Sequence, residues 1–103
     1  MYKITYYIGC NDKDTLKQEL SDEFFISTLD SLFDNYTLSQ TQGRFTNKNG
    51  VKTFEKSFVV TIITDDEYEN NIFNITEKVE ALKSKLNQES ILVTKELIQA
   101  SFI

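Results

Sequence analysis

The sequence predicts an α+β domain in which four antiparallel strands and two helices follow one another in the order βαββαβ. Three patterns support this prediction: strand-like alternation at the amino terminus, two apolar stripes at helical spacing, and an Asn-Gly hairpin signal between them. A hairpin between the middle strands, combined with two right-handed crossovers, defines the ferredoxin-like arrangement. Its sheet has the strand order 4-1-3-2, and both helices lie on one face.

The first half of the chain begins with a strand and continues into a helix. Apolar and polar side chains alternate over residues 2 to 9, as they do in a strand that is covered on one face. A helix is predicted over residues 21 to 35, because large apolar residues recur there at intervals of three and four. Ser21 is the expected N-cap. Asp22 and Glu23 follow it in the first turn, where the helix dipole favours negative charge.

The middle of the chain predicts two paired strands joined by a tight turn. Residues 37 to 42 are β-capable but polar, as an edge strand is, whereas residues 58 to 63 are apolar on both faces, as a central strand is. The second of these strands is expected over residues 51 to 64. Between the two runs, Asn49-Gly50 is a strong hairpin signal because both residue types tolerate positive φ.

A second helix and a last strand complete the predicted order. Thr64 and Glu67 stand at capping-box spacing, and Asn74 and Glu77 offer a later start for the helix. Its apolar stripe follows steps of three and four residues and consists of Ile72, Ile75, Val79, Leu82 and Leu86. The last strand is expected from residue 88 to residue 102, again with alternating apolar positions.

The composition excludes several classes of site. The chain has no His and one Cys, so it cannot hold a Ser-His-Asp triad, a Cys-His pair, a zinc finger or an internal disulfide. No cofactor is expected. The lone Cys10 is interpreted as a small, half-buried structural residue, since no His is available to lower the pKa of its thiol.

Charge and hydropathy limit the partners and the compartment. The net charge is −5 and the basic residues are scattered, which predicts no direct binding of nucleic acid and favours a protein partner or self-association. The amino terminus lacks the pattern of a secretory signal, and no apolar run approaches the roughly twenty residues that span a bilayer. We therefore expect a cytoplasmic protein without membrane contact, with residues 1–103 forming a single domain.

Polar residues on the strands predict a candidate surface on the sheet face away from the helices, called the open face here. Tyr7 is expected there, and on the second strand one face carries Gln40, Gln42 and Arg44. Thr61, Lys95 and Gln99 are further candidates from the third and fourth strands. Which face the second strand presents is left open. Such a surface serves as a ligand floor, a dimer interface or a solvated face.

Acidic residues suggest a second candidate surface where the second helix starts. The expected binding residues there are Asp65, Asp66, Glu67 and Glu69. Acidic residues at a helix start need no metal to explain them, so no metal site is predicted. Asp12, Asp14 and Glu23 have the spacing of EF-hand ligands. The required intervening ligand and glycine are absent, so a solvated loop is the preferred interpretation.

Four short segments of the chain form a recognisable set: Tyr7-Ile8-Gly9, Gln42-Gly43-Arg44-Phe45, Asn87-Gln88-Glu89-Ser90-Ile91-Leu92 and Ala100-Ser101-Phe102. In their order and spacing they resemble a family of bacterial and phage-type proteins known only as a domain of unknown function. The sequence differs from the family pattern at Phe45, where Trp is frequent, and in a longer Asn- and Asp-rich loop after Gly9. The resemblance implies a ferredoxin-like fold and no established activity.

Three functional hypotheses follow. The first is a small acidic, non-catalytic domain that binds a protein or a ligand, one version being a mobile-element-encoded inhibitor of a bacterial defence protein. The second is a cofactor-free enzyme of the dimeric α/β-barrel type, monooxygenase- or isomerase-like, in which Tyr7, Arg44 and Glu55 supply the acid-base and orienting groups. The third is a structural homodimer that buries the open face.

Overall fold

The computed structural model describes residues 1–46 and 49–103 and has the predicted ferredoxin-like fold. The elements are β1 (Tyr2–Gly9), α1 (Asp22–Leu32), β2 (Thr37–Thr46), β3 (Lys52–Thr64), α2 (Glu67–Asn70), α3 (Ile72–Leu86) and β4 (Leu92–Leu97). The strands form one antiparallel sheet in the order β2-β3-β1-β4. The predicted strand order is therefore confirmed, with the apolar β3 inside and the polar β2 at an edge.

The core lies between the sheet and the helices, as the alternation in β1 requires. Ile4, Tyr6 and Ile8 are almost fully buried, and their direct partners on β3 are also core residues. The rings of Tyr6 and Phe33 are 5.1 Å apart, which links β1 to the end of α1. The buried apolar side chains that the helices contribute to this core are Phe25, Leu29, Ile75, Leu82 and Leu86.

Helix α1 starts at the predicted cap but ends earlier than predicted. The Ser21 hydroxyl accepts a hydrogen bond from the Phe24 amide at 3.1 Å. The helix ends at Leu32 because Phe33 is extended, with φ −126° and ψ 129°. This conformation places the Phe33 ring against Tyr6. Packing of an aromatic ring in the core therefore overrides the apolar spacing that extended the predicted helix to residue 35.

The predicted second helix is divided into α2 and α3 at Asn71, which is extended at ψ 134°. The caps differ from both predicted capping boxes. Asp66 caps α2 by accepting from the Tyr68 amide at 2.7 Å, and the Asn71 side chain caps α3 by accepting from the Phe73 amide at 2.8 Å. Short Asp and Asn side chains bond nearby backbone amides and so favour a break over a continuous helix.

The predicted turn of the β2–β3 hairpin is confirmed, whereas the predicted end of the last strand is wrong. Gly50 adopts a φ of +77°, as the Asn-Gly signal predicted, while Asn47 and Lys48 lie outside the described residues. Strand β4 ends at Leu97, well before the predicted residue 102. Leu97 is opposite Tyr2, the first residue of β1, so the ladder has no further partner positions.

Candidate functional site

The sheet register decides which predicted residues share the open face, because directly opposite residues of an antiparallel pair point to the same side. Tyr7 is opposite Val59 on β3 and Leu92 on β4, and its side chain is 40% exposed. Thr61 is opposite Thr5 and lies on the same face. The expected placement of Tyr7 and Thr61 on the open face is thus found in the structure.

The predicted polar row of β2 lies on the other face. Gln40, Gln42 and Arg44 are opposite Phe58, Lys56 and Phe54, and Phe58 is a fully buried core residue on the helix side. The structure therefore assigns the face that the sequence left open, and this row does not join Tyr7. The physical reason is register: Leu38 is opposite Val60 and packs against the core, and a one-residue slip would expose it.

The proposed catalytic trio is not brought together. Tyr7 and Glu55 belong to the open face, whereas Arg44 belongs to the helix-side face, where its guanidinium lies 5.4 Å from the centroid of the Phe54 ring. Lys95 is opposite Ile4 and also lies on the helix side, contrary to expectation. Its described contacts give it no place on the open face.

Glu55 stabilises the end of β1. Its carboxylate accepts a hydrogen bond from the Asn11 amide at 2.8 Å. It also lies directly over Gly9, where an added Cβ would be 2.6 Å from Glu55 Oε1. Glycine is therefore required at position 9, because the Glu55 carboxylate leaves no room for a side chain there. Next to it, burial raises the pKa of the Cys10 thiol to about 11, which keeps this side chain protonated.

The acidic residues after β1 are held by hydrogen bonds. Asn87, in the left-handed conformation at the end of α3, donates through Nδ2 to Asp12 at 2.8 Å and to Asp14 at 2.9 Å. Asp12 also accepts from the Asp14 and Thr15 amides. These bonds hold the pKa of the Asp12 carboxyl below its usual value, first through Asn87. These hydrogen bonds thus give the acidic residues of this loop a structural role.

The four acidic residues at the start of α2 have different environments. Asp66 is the N-cap, while Asp65 and Glu67 are exposed. Glu69 is half-buried and accepts a hydrogen bond from the Thr64 hydroxyl at 3.0 Å. Among the described residues, no group of three or more His, Cys, Asp or Glu side chains is positioned to hold a metal ion. Of these four, Glu69 lines a cavity.

That cavity is a cleft at the end of the sheet where β3 finishes. A cavity of about 60 Å³, called the inner chamber here, shares the lining residues Asp34, Ile62 and Glu69 with a cavity of about 650 Å³, called the outer cleft. The inner chamber is further lined by Tyr6, Asn74 and Lys78, among others. The outer cleft is further lined by Thr37, Thr61, Ile63 and Phe102, among others. The walls therefore come from β1, β3, the start of β2, the end of α1, α2, α3, the α1–β2 connection and the segment after β4.

The polar groups of the inner chamber are unequally satisfied. Asn74 is only 6% exposed, and its Oδ1 is buried without a hydrogen-bond partner among the described residues. Burial, and then the Glu69 carboxylate, raise the pKa of Tyr6 to about 12, so its hydroxyl stays protonated. The Lys78 ammonium donates to the Leu32 carbonyl. The unpartnered Asn74 oxygen is thus buried in the wall of the chamber, out of contact with solvent.

Sequence reasoning identified Glu69 but missed Tyr6, Asp34, Asn74 and Lys78 as site residues. In the sequence Tyr6 belongs to the alternating run of residues 2 to 9, and Asn74 is a candidate helix cap. One signal was available: Asn74 directly precedes Ile75 of the apolar stripe, and a polar residue on the buried side of a helix calls for a partner.

Comparisons with known proteins support the fold. A phage SAM lyase in complex with S-methyl-5'-thioadenosine has a TM-score of 0.61 at 16% identity, with 92% of this chain and 79% of that chain covered. A phage SAM lyase in the apo state has a TM-score of 0.59 at 21% identity, with 92% of this chain and 78% of that chain covered. The periplasmic divalent cation tolerance protein CutA from Archaeoglobus fulgidus has a TM-score of 0.61 at 12% identity, with 99% of this chain and 88% of that chain covered. At these identities the likeness concerns the fold alone.

Three further findings concern related sequences and membrane-spanning helices. The curated proteins contain no match to this sequence. Within the described residues, no helix is both long and apolar enough to cross a membrane. The family model described as a protein of unknown function, DUF3574, matches residues 3–102, and the chain belongs to this family.

Proposed function

We propose that the domain binds a small polar molecule in the cleft at the end of β3. The observation that carries this proposal is the pair of cavities there, whose walls share the half-buried Glu69, the exposed Asp34 and the core residue Ile62.

The dimensions and lining of the cleft support the same proposal. Its outer part, about 650 Å³, lies within the ~300–1,000 Å³ typical of small-molecule sites. Apolar side chains such as Ile62 and Ile63 are combined with a few polar groups, including Tyr6 and Glu69. A cavity of this kind, with a few polar groups directed from several elements, is the usual form of a ligand site.

The first probe is suggested by a protein of similar fold. A phage SAM lyase was solved with S-methyl-5'-thioadenosine, and the proposal extends small-molecule binding to the present chain. Titration of the ¹⁵N-labelled full chain with this nucleoside, and with a panel of fragment-sized compounds, tests it by NMR. We expect saturable amide shifts around Thr61, Glu69 and Asn74. Shifts confined to other regions, or none with any compound, would refute the proposal.

A second candidate function is self-association through the open face. Leu92, Tyr7 and Val59 form a continuous row across three strands, and Leu92 is 62% exposed. Val59 is only 8% exposed, so Tyr7 and Leu92 supply most of the exposed apolar surface of this row. Sedimentation velocity in the low micromolar range tests the candidate: we expect a dimer that Tyr7→Lys converts to a monomer, with Lys3→Gln as the control on the same face. A wild-type monomer would exclude this candidate.

A further inference from the structure

Charge is distributed unevenly along the length of the molecule. Residues 35–54, which include β2 and the start of β3, contain three basic and no acidic residues, although the net charge of the chain is −5. The part of this segment that extends beyond β1, residues 42–46 and 49–54, is called the hairpin end here. At the other end of β3, four acidic residues lie at the start of α2, namely Asp65, Asp66, Glu67 and Glu69. The molecule thus has a basic end and an acidic end.

The length of β3 keeps these two ends apart. The strand runs for 13 residues from Lys52 to Thr64, and at ~3.3 Å per residue it spans about 40 Å. The longest dimension of the molecule is 46 Å, so β3 spans most of it. The basic end therefore cannot neutralise the acidic end of the same molecule, whereas it can reach the acidic end of another copy.

Neither end is neutralised by its own surroundings. The ion pairs among the described residues include neither Arg44 nor Lys52, nor any of the four acidic residues at the start of α2. Arg44 and Lys52 are exposed, and Arg44 donates through Nε to the Gln42 side chain at 3.1 Å. Near the acidic end, the Lys95 ammonium donates to the Asn70 carbonyl at 3.5 Å. Charges of both signs are therefore available to a partner.

Each end also exposes large apolar side chains. Tyr68, Ile72 and Phe73, at the junction of α2 and α3, are 66%, 64% and 78% exposed. On the hairpin end, Val51 and Phe54 are 57% and 59% exposed. Protein interfaces combine an apolar centre with a polar and charged rim. The composition of both ends therefore fits contact with a protein, and their opposite charges complement each other.

We infer that the chain binds a second copy of itself head to tail, with the hairpin end of one copy on the α2–α3 junction of the next. Arg44 and Lys52 then face Asp65 and Glu67, and the exposed apolar side chains of the two ends pack together. Because the two surfaces differ, the contact is heterologous and repeats from copy to copy, so that it builds a closed ring or an open chain. In the open-face dimer, by contrast, one surface meets the same surface of its partner.

Sedimentation velocity of the full chain tests this inference at protein concentrations up to several hundred micromolar. At about 0.1 M salt the Debye length is ~10 Å, so facing ends attract each other while charges about 40 Å away are screened. We expect the sedimentation coefficient to rise with protein concentration under these conditions. At about 1 M salt the Debye length falls to ~3 Å, and the dissociation constant should increase at least roughly tenfold.

Single charge reversals identify the two surfaces. Arg44→Glu on the hairpin end and Glu67→Lys on α2 should each weaken association at least roughly tenfold, because each places like charges in contact. Lys85→Glu, at an exposed position near the end of α3, is the matched control and should change the dissociation constant less than about twofold. The Tyr7→Lys variant should still associate as its concentration rises, because Tyr7 lies on the open face.

A mixture of variants distinguishes head-to-tail contact from symmetric contact. Equimolar Arg44→Glu and Glu67→Lys should associate again, because each variant keeps the end that the other has changed. Lys52→Glu and Asp65→Lys repeat the same test at neighbouring positions, and circular dichroism shows that each variant is folded. The inference is overturned if the sedimentation coefficient of the wild type does not rise with concentration at about 0.1 M salt. Association that either charge reversal leaves unchanged, or a mixture that stays dissociated, also overturns it.

Discussion

Replacing Asn74 with leucine should stabilise the ligand-free protein. The substitution removes a buried acceptor without a partner among the described residues, which costs about 1–3 kcal/mol. Leucine also has the higher helix propensity, by a few tenths of a kcal/mol, at this position of α3. We expect the free energy of unfolding to rise by about 1–2 kcal/mol, with a Tm increase of roughly 4–16 °C for a domain of this size.

Urea unfolding followed by circular dichroism measures this change. Thr76→Leu is the matched control, because Thr76 lies on the same helix but is exposed, and it reports the propensity gain alone. A loss of stability in Asn74→Leu, with Thr76→Leu neutral, would show that the Asn74 amide is already satisfied and would refute the reasoning.

The remaining predictions concern the structural supports of the fold. Gly9→Ala should lower the free energy of unfolding by about 1–2 kcal/mol, because the new Cβ displaces the Glu55 carboxylate from the Asn11 amide. In a Glu55→Ala background the cost of Gly9→Ala should be smaller. Urea unfolding measures both variants and the double variant, and additive costs would contradict this coupling. Cys10, which is 2% exposed with a pKa raised to about 11, should react with Ellman's reagent at pH 8 only as the protein unfolds; rapid labelling of the native state would contradict its burial. Burial, and then the bond to Asp30, raise the pKa of Tyr36 to about 12. The folded pKa therefore exceeds the unfolded value of 10.0, so this contribution to stability is complete below pH 10 and is lost as the pH rises towards 12. Denaturant titrations between pH 10 and pH 12 test this. The free energy of unfolding of Tyr36→Phe should fall less over this range than that of the wild type, and equal falls would contradict the raised pKa of Tyr36.

Local sequence patterns determined the elements because their physics is short-range. Alternation over residues 2 to 9 predicts which side chains of β1 are buried, since successive residues of a strand point to opposite faces. Ser21 predicts the start of α1 because its hydroxyl bonds an amide three residues away. The positive φ that glycine tolerates predicts the position of Gly50 in the hairpin. The element order and the strand order follow from these together with the handedness of crossovers.

The tertiary structure decided what depends on contacts between distant segments. The polar row of β2 is compatible with either face, and only the pairing of Leu38 opposite Val60 assigns it to the helix side. Likewise, an apolar stripe at helical spacing does not reveal the break at Asn71, which depends on side-chain capping.

The candidate cleft is the clearest example of this division. Tyr6, Glu69 and Asn74 come from β1, α2 and α3 and are separated along the chain, so no local pattern relates them. Each has an ordinary explanation by itself, as a core aromatic, an acidic residue near a helix start and a helix cap. The sequence by itself determined the fold and excluded His-dependent chemistry. Only packing of α2 and α3 against β1 and β3 placed these three side chains around one chamber, because such convergence depends on long-range contacts rather than on periodicity.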